Sequence, residues 1–184
     1  MGTASADASH ELSEPVRKVF VGGVGNPLLG DLDFGPQFVR RYLDAEWPDE
    51  VLLHDSAESA HRVLHQLQSV EPDRVIFVAG YPRGDPPGTI RRYSLDTDTE
   101  DIDLELLAAS LGEAAGGVID LDCTLMVARY YKGLPPDTVC IEVEAVDEGF
   151  GPAFSPSVEA SFEPVLQIVQ EEVRRPWTQE EVST

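Results

Sequence analysis

Two aspartates one residue apart, Asp31 and Asp33, follow a glycine-rich turn, Gly22-Gly-Val-Gly-Asn26. Paired carboxylates in such a place can bind a cation or do acid–base work. For Asp33 the spacing favours another role, capping a helix that starts at Phe34 by accepting backbone N–H bonds. The turn also carries Gly23-Val24-Gly25, two of the glycines of a dinucleotide-binding fingerprint, with Asp55 placed at the end of the next strand as a ribose acceptor. The third glycine position is Leu28, and Asp31 and Asp33 would repel a pyrophosphate at the helix start. Nucleotide binding is therefore the weakest alternative.

Other candidate groups divide in the same way. Asp120 and Asp122 flank Leu121 at a predicted helix start, where they either complement the helix dipole or project into a cleft. His61 and His65 stand one helical turn apart, a spacing that can bind zinc. The residues between them, Arg-Val-Leu, lack the glutamate of a metallopeptidase helix, so a solvated face is the simpler reading. No Gly-x-Ser-x-Gly elbow occurs, and the histidines, His10, His54, His61 and His65, leave none in the second half to act as a general base. Cys123 and Cys140 sit apart in apolar segments and read as reduced, buried thiols.

The elements that must position these residues alternate. Strands are expected at Lys18–Gly23, Val51–Asp55, Val75–Ala79, Thr89–Ser94 and Thr138–Val146. The third is apolar throughout, as in a parallel sheet covered on both faces, and the fourth suits a sheet edge. Helical spacing covers Phe34–Ala45, Ser59–Val70, Leu104–Ala115 and Leu121–Tyr131. A long last helix opens at Ser155-Pro156, with Ser155 as N-cap and a kink or local unwinding expected at Pro164. This order predicts an α/β fold, a three-layer α/β/α sandwich around a mostly parallel sheet of about five strands. One domain is expected over residues 17–175, after a disordered segment 1–16 and before a polar tail 176–184. Asp96–Asp103 reads as a solvated acidic loop.

The 184-residue chain carries 34 acidic and 13 basic residues, a net charge of −21, which argues against nucleic acid or an anionic membrane as partner. Only Lys18 and Lys132 are lysines; a GC-rich genome or a high-salt cytoplasm would each explain the bias. No apolar run approaches the roughly 20 residues of a membrane span, and the N-terminal segment has no signal-peptide character. Cytoplasmic location is expected.

Four stretches, in order and spacing, make the chain similar to a known family. They are Gly23-Val-Gly-Asn-Pro-Leu-Leu-Gly-Asp31 followed by Phe34-Gly35; Pro87-Gly-Thr89; Leu125-Met-Val-Ala-Arg-Tyr-Tyr-Lys-Gly-Leu-Pro135 with the strand after it; and Ser155-Pro-Ser-Val-Glu159. Over roughly Lys18 to Val173 the chain resembles the hydrogenase maturation proteases, which remove a C-terminal extension from the large subunit of nickel–iron hydrogenase after nickel insertion. The resemblance implies as partner that subunit or its precursor, and recognition of its nickel through three side chains. These are a carboxylate after the loop aspartate, an aspartate ending the third strand and a histidine before the later helix. The matching positions here are Leu32, Gly80 and about Gly117, none of which offers a ligand.

Three functions follow: a processing endopeptidase with altered ligands, a non-catalytic relative acting as a chaperone or checkpoint in hydrogenase maturation, and a nucleotide-binding protein. The expected cleft residues are Gly25, Asn26, Asp31, Asp33, Asp55 and Asp122, with no metal or other cofactor bound intrinsically.

Overall fold

The computed structural model describes residues 16–99 and 102–177. Most of the expected disordered segment 1–16, including His10, lies outside the described residues, as do residues 100 and 101 of the acidic loop and 178–184 of the tail.

Runs of β-branched and aromatic residues form the strands β1 (Val19–Val24), β2 (Val51–Asp55), β3 (Arg74–Tyr81), β4 (Ile90–Ser94) and β5 (Asp137–Glu144). They make one sheet in the order β2-β1-β3-β5-β4. All pairings are parallel except the one between β5 and the edge strand β4. Helices α1 (Phe34–Arg41), α2 (Ala60–Val70), α3 (Leu104–Ala115), α4 (Leu121–Tyr130), α5 (Pro156–Glu159) and α6 (Phe162–Arg174) cover it. The expected three-layer sandwich is the observed one.

Alternation along the strands sorts the core into two layers. Val19, Val21, Ile76, Val78, Val139, Ile141 and Val143 meet α1, α5 and α6 through Phe34, Phe38, Val158, Phe162, Val165 and Val169. Phe20, Val75, Phe77 and Cys140 face the other way, onto Val63 and Leu67 of α2 and Leu121, Leu125 and Ala128 of α4. The β1 chain continues to β2 on one side while β3 lies on the other. The carboxyl ends of β1 and β3 therefore flank a topological switch point, where open α/β sheets bind ligands. In the β1–β3 register Val24 pairs with Ala79, so Gly25 and Gly80 emerge side by side.

The differences from expectation have local causes. Helix α1 stops at Arg41, short of Ala45, and the Trp47 indole N–H takes the Tyr42 carbonyl that another turn would have used. The unwinding tied to Pro164 falls at Ala160 and Ser161, between α5 and α6. Proline has no N–H for the Ala160 carbonyl, and its ring crowds that carbonyl. Strand β3 starts at Arg74, a fully buried arginine held by Asp137.

Candidate functional site

The candidate site is a cleft of about 200 Å³ at the switch point. Its floor is the end of β1 and β3, Val24, Gly25, Ala79 and Gly80; its walls are Asn26, Leu32, Tyr81, Pro82, Ile119, Asp120, Leu121 and Glu148. A short 3-10 turn, Gly30–Asp33, closes one side. It packs so tightly that a Cβ on Gly25 would lie 2.2 Å from the Leu32 carbonyl oxygen, and one on Gly80 2.1 Å from that of Asp31. Both strand ends are therefore glycine by necessity: the turn's backbone occupies the space a side chain would need. On the opposite side the Asn26 amide donates to the Ile119 carbonyl at 2.9 Å and ties the first loop to the segment before α4.

Of the expected cleft residues, Gly25 and Asn26 line the cleft and the four aspartates do not. Asp31 is fully buried, and its carboxylate accepts from the backbone N–H groups of Val146, Asp147 and Ser155 and from the Ser155 hydroxyl, at 2.8 to 3.0 Å. Burial alone would raise its pKa, but these donors hold it below the ordinary carboxylate value. Asp31 is thus a latch for the loop after β5, fully buried and outside the cleft lining. Its latching also corrects Ser155, which starts α5 but spends its hydroxyl on Asp31 and makes no side-chain cap.

Asp33 stands at the start of α1 without capping it. Its Oδ2 accepts from Leu28 N–H and the Gln37 amide instead, and its Oδ1 is buried without a partner among the described residues. Capping is unnecessary because the 3-10 turn runs straight into α1, so the helix has no free first turn there. Asp55 ends β2 and pairs with Arg40 of α1 at 2.6 Å. Asp122 pairs with Arg83 on the α4 side. Four aspartates with four separate sets of partners form no joint ligand set. Among the described residues no three His, Cys, Asp or Glu side chains come together in a way that could hold a metal ion.

Leu32 and Gly80 line the cleft, whereas Gly117 lies outside it, exposed in the turn after α3 with φ of 81°. The positions that the family resemblance assigns to metal ligands are thus an apolar side chain, a glycine whose missing side chain is replaced by backbone, and a solvent-facing turn.

The N–H groups that a nucleotide phosphate would need are already used. Asn26 N–H bonds to the Leu32 carbonyl, Leu29 N–H to Asn26, Gly30 N–H to Gly151 and Asp31 N–H to Asp147. A helix start with its donors spent offers no anion site.

One cluster was missed by sequence reasoning. Arg83, in the proline-rich loop after β3, pairs with Asp122 on α4 at 2.6 Å and with the buried Glu142 on β5 at 2.7 Å. Its guanidinium lies 3.8 Å above the Tyr81 ring. The Tyr81 hydroxyl, with one proton to donate, lies 3.0 Å from an Asp120 oxygen and 3.1 Å from an Asp122 oxygen, and Tyr93 donates to Glu142 at 2.6 Å. Hydrogen bonds from Arg83 hold Asp122 below the ordinary carboxylate range. Burial and the two adjacent carboxylates push the Tyr81 phenol well up, so it stays a donor at neutral pH. The signal that was available is the pair Glu142 and Glu144, acidic residues on one face of a strand whose other residues from Val139 onward are apolar. The cluster fixes Tyr81 and Asp120 in the cleft wall.

No family model matches the chain, and no curated protein matches it significantly. Solved structures do. The hydrogenase maturating endopeptidase HybD from Escherichia coli superposes with a TM-score of 0.64 at 22% identity, over 85% of this chain and 92% of that one. The hydrogenase 2 maturation peptidase of a Thaumarchaeota archaeon gives 0.60 at 23% identity, covering 87% and 100%. The nickel–iron hydrogenase maturation protease HybD from Thermococcus kodakarensis gives 0.56 at 18% identity, covering 85% and 99%. At these identities the likeness establishes the fold: the chain has the fold of the hydrogenase maturation proteases.

Proposed function

We propose that this chain is a relative of the hydrogenase maturation proteases that binds the large subunit of a nickel–iron hydrogenase, or its precursor, as a cytoplasmic chaperone or checkpoint without cutting it. The fold and the ordered sequence stretches support the process. The cleft wall carries the rest of the reading. Where the resemblance calls for a carboxylate and an aspartate toward the precursor's nickel, the cleft presents Leu32 and Gly80. A longer residue at 80 has no room, since the Asp31 carbonyl stands 2.1 Å from its Cβ position. These residues do not fit a nickel ion. The competing reading, an endopeptidase with substitute ligands, would need three donors converging in the cleft. Asp33, Asp55 and Asp122 are engaged elsewhere, and Asp120 and Glu148, which do line it, belong to no group of three His, Cys, Asp or Glu side chains among the described residues.

What the cleft can do is bind: it is small, partly apolar and rigidly framed. The test is the affinity of the purified protein for the large-subunit precursor of its own organism, prepared with and without nickel. The expected result is binding of similar strength to both. Binding that needs nickel would contradict a metal-blind cleft, and failure to bind either form would overturn the choice of partner.

A further inference from the structure

We propose that the loops around the cleft mouth form a docking surface for an apolar segment of the partner polypeptide that also carries a lysine or arginine. This rests on the hydrogenase-partner reading above and adds the chemistry of the contact.

The apolar half of the argument is Phe150 and Leu28. Phe150 is 84% exposed and Leu28 45%, with Val146 at 57% on the same loop as Phe150. The two loops are stitched together: Gly151 N–H bonds to the Leu28 carbonyl at 2.8 Å, Gly30 N–H to the Gly151 carbonyl at 3.3 Å and Asp31 N–H to the Asp147 carbonyl at 2.7 Å. The Asp31 carboxylate adds bonds to the N–H groups of Val146 and Asp147. Phe150 is thus presented to solvent from a tied-down loop, the arrangement of an interface anchor. Leu28 sits at φ of 63°, a left-handed conformation in which glycine or asparagine is the ordinary occupant. An outward-facing leucine there is strained without any gain in packing, as at sites kept for contact.

The charged half is the cleft itself. Asp120 and Glu148 line it, no lysine or arginine does, and the chain carries a net charge of −21. A cationic side chain is therefore drawn to this mouth, its aliphatic stem matched by Leu32, Pro82 and Ile119. At about 200 Å³ the cleft holds a side chain of a bound segment, being smaller than the roughly 300 Å³ where small-molecule pockets begin.

The chain's own ends do not suit the role. Residues 1–15 contain Asp7, Glu11 and Glu14 and no lysine or arginine, and residues 178–184 contain Glu180 and Glu181 and likewise none. A second copy would bring another −21. The charge complement comes from a separate polypeptide.

The experiment uses the full chain and the immobilised large-subunit precursor, with binding read by interferometry across a salt series. Phe150→Ser decides, because so exposed a side chain contributes little to folding. Leu28→Ser and Glu148→Lys accompany it, and Leu43→Ser, 60% exposed beyond α1, is the control. Phe150→Ser and Leu28→Ser are each expected to weaken binding at least about tenfold, with unchanged melting temperatures, while Leu43→Ser binds as wild type. Glu148→Lys should weaken binding and flatten its salt dependence. Wild-type affinity in Phe150→Ser and Leu28→Ser would overturn the docking surface while leaving the partner standing. A wild-type protein that ignores the precursor would overturn both.

Discussion

Gly80 shows how a site can change character through one residue without becoming a gap. A glycine in a ligand position suggests an empty place, but the backbone of the 3-10 turn has filled it. Gly80→Ala should therefore cost about 3 kcal/mol or more in urea unfolding, since the opposing atom is a main-chain oxygen that cannot rotate away. A mild effect would mean that the turn yields and that a ligand at 80 is possible after all. Asp31 gives a second prediction. Asp31→Asn would set an amide NH2 against backbone N–H donors and should destabilise by about 3 kcal/mol at neutral pH. The backbone and Ser155 donors hold the folded-state pKa of Asp31 below the ordinary carboxylate value, so its contribution is full above that ordinary value and is lost as pH falls through the lower folded one. The variant's stability should consequently fall less than wild type's below that value, which chemical denaturation at two pH values measures. Asp31 was legible as an important residue of the opening loop. Its role was not, because its partners lie 115 to 124 residues away in the chain.

Among the elements, Arg83 joins three: the loop after β3, α4 and β5. Its loss leaves Glu142 buried at 2% exposure, with the Tyr93 hydroxyl and a distant Arg91 as remaining company. Arg83→Met should cost about 3 kcal/mol. In a Glu142→Gln background, where the buried charge is gone but Tyr93 keeps an acceptor, the same change should cost less than half as much. Equal costs in both backgrounds would show that the ion pair is not what Arg83 supplies. Most elements were readable before any coordinates. The apolar run of β3 announced a covered central strand, and the Ile90–Ser94 segment, rich in polar residues, announced an edge. Their ends moved where side chains from elsewhere intervened, as Trp47 does at α1 and Asp137 at the start of β3. The Arg83 cluster could not be read locally, since periodicity carries no information about which charges meet across layers.

Across the whole molecule, 34 acidic residues outnumber 13 basic ones, a net charge of −21. Self-repulsion then opposes the compact state, and salt should relieve it. The melting temperature is expected to rise between about 0.02 and 1 M NaCl; a flat or falling curve would mean that ion pairs such as Arg41 with Glu159 dominate. The same excess of negative charge suits a surface that draws a basic partner to the mouth of the cleft. The fold is that of the maturation proteases, while the cleft has Leu32 and the backbone beside Gly80 at positions that the family resemblance assigns to metal ligands. The central claim is that this chain holds a hydrogenase precursor and does not cut it. The most direct measurement is the intact mass of nickel-loaded large-subunit precursor after incubation with an excess of the purified protein, under conditions where the two form a complex. An unchanged precursor mass within that complex is predicted, and loss of the C-terminal extension would contradict it.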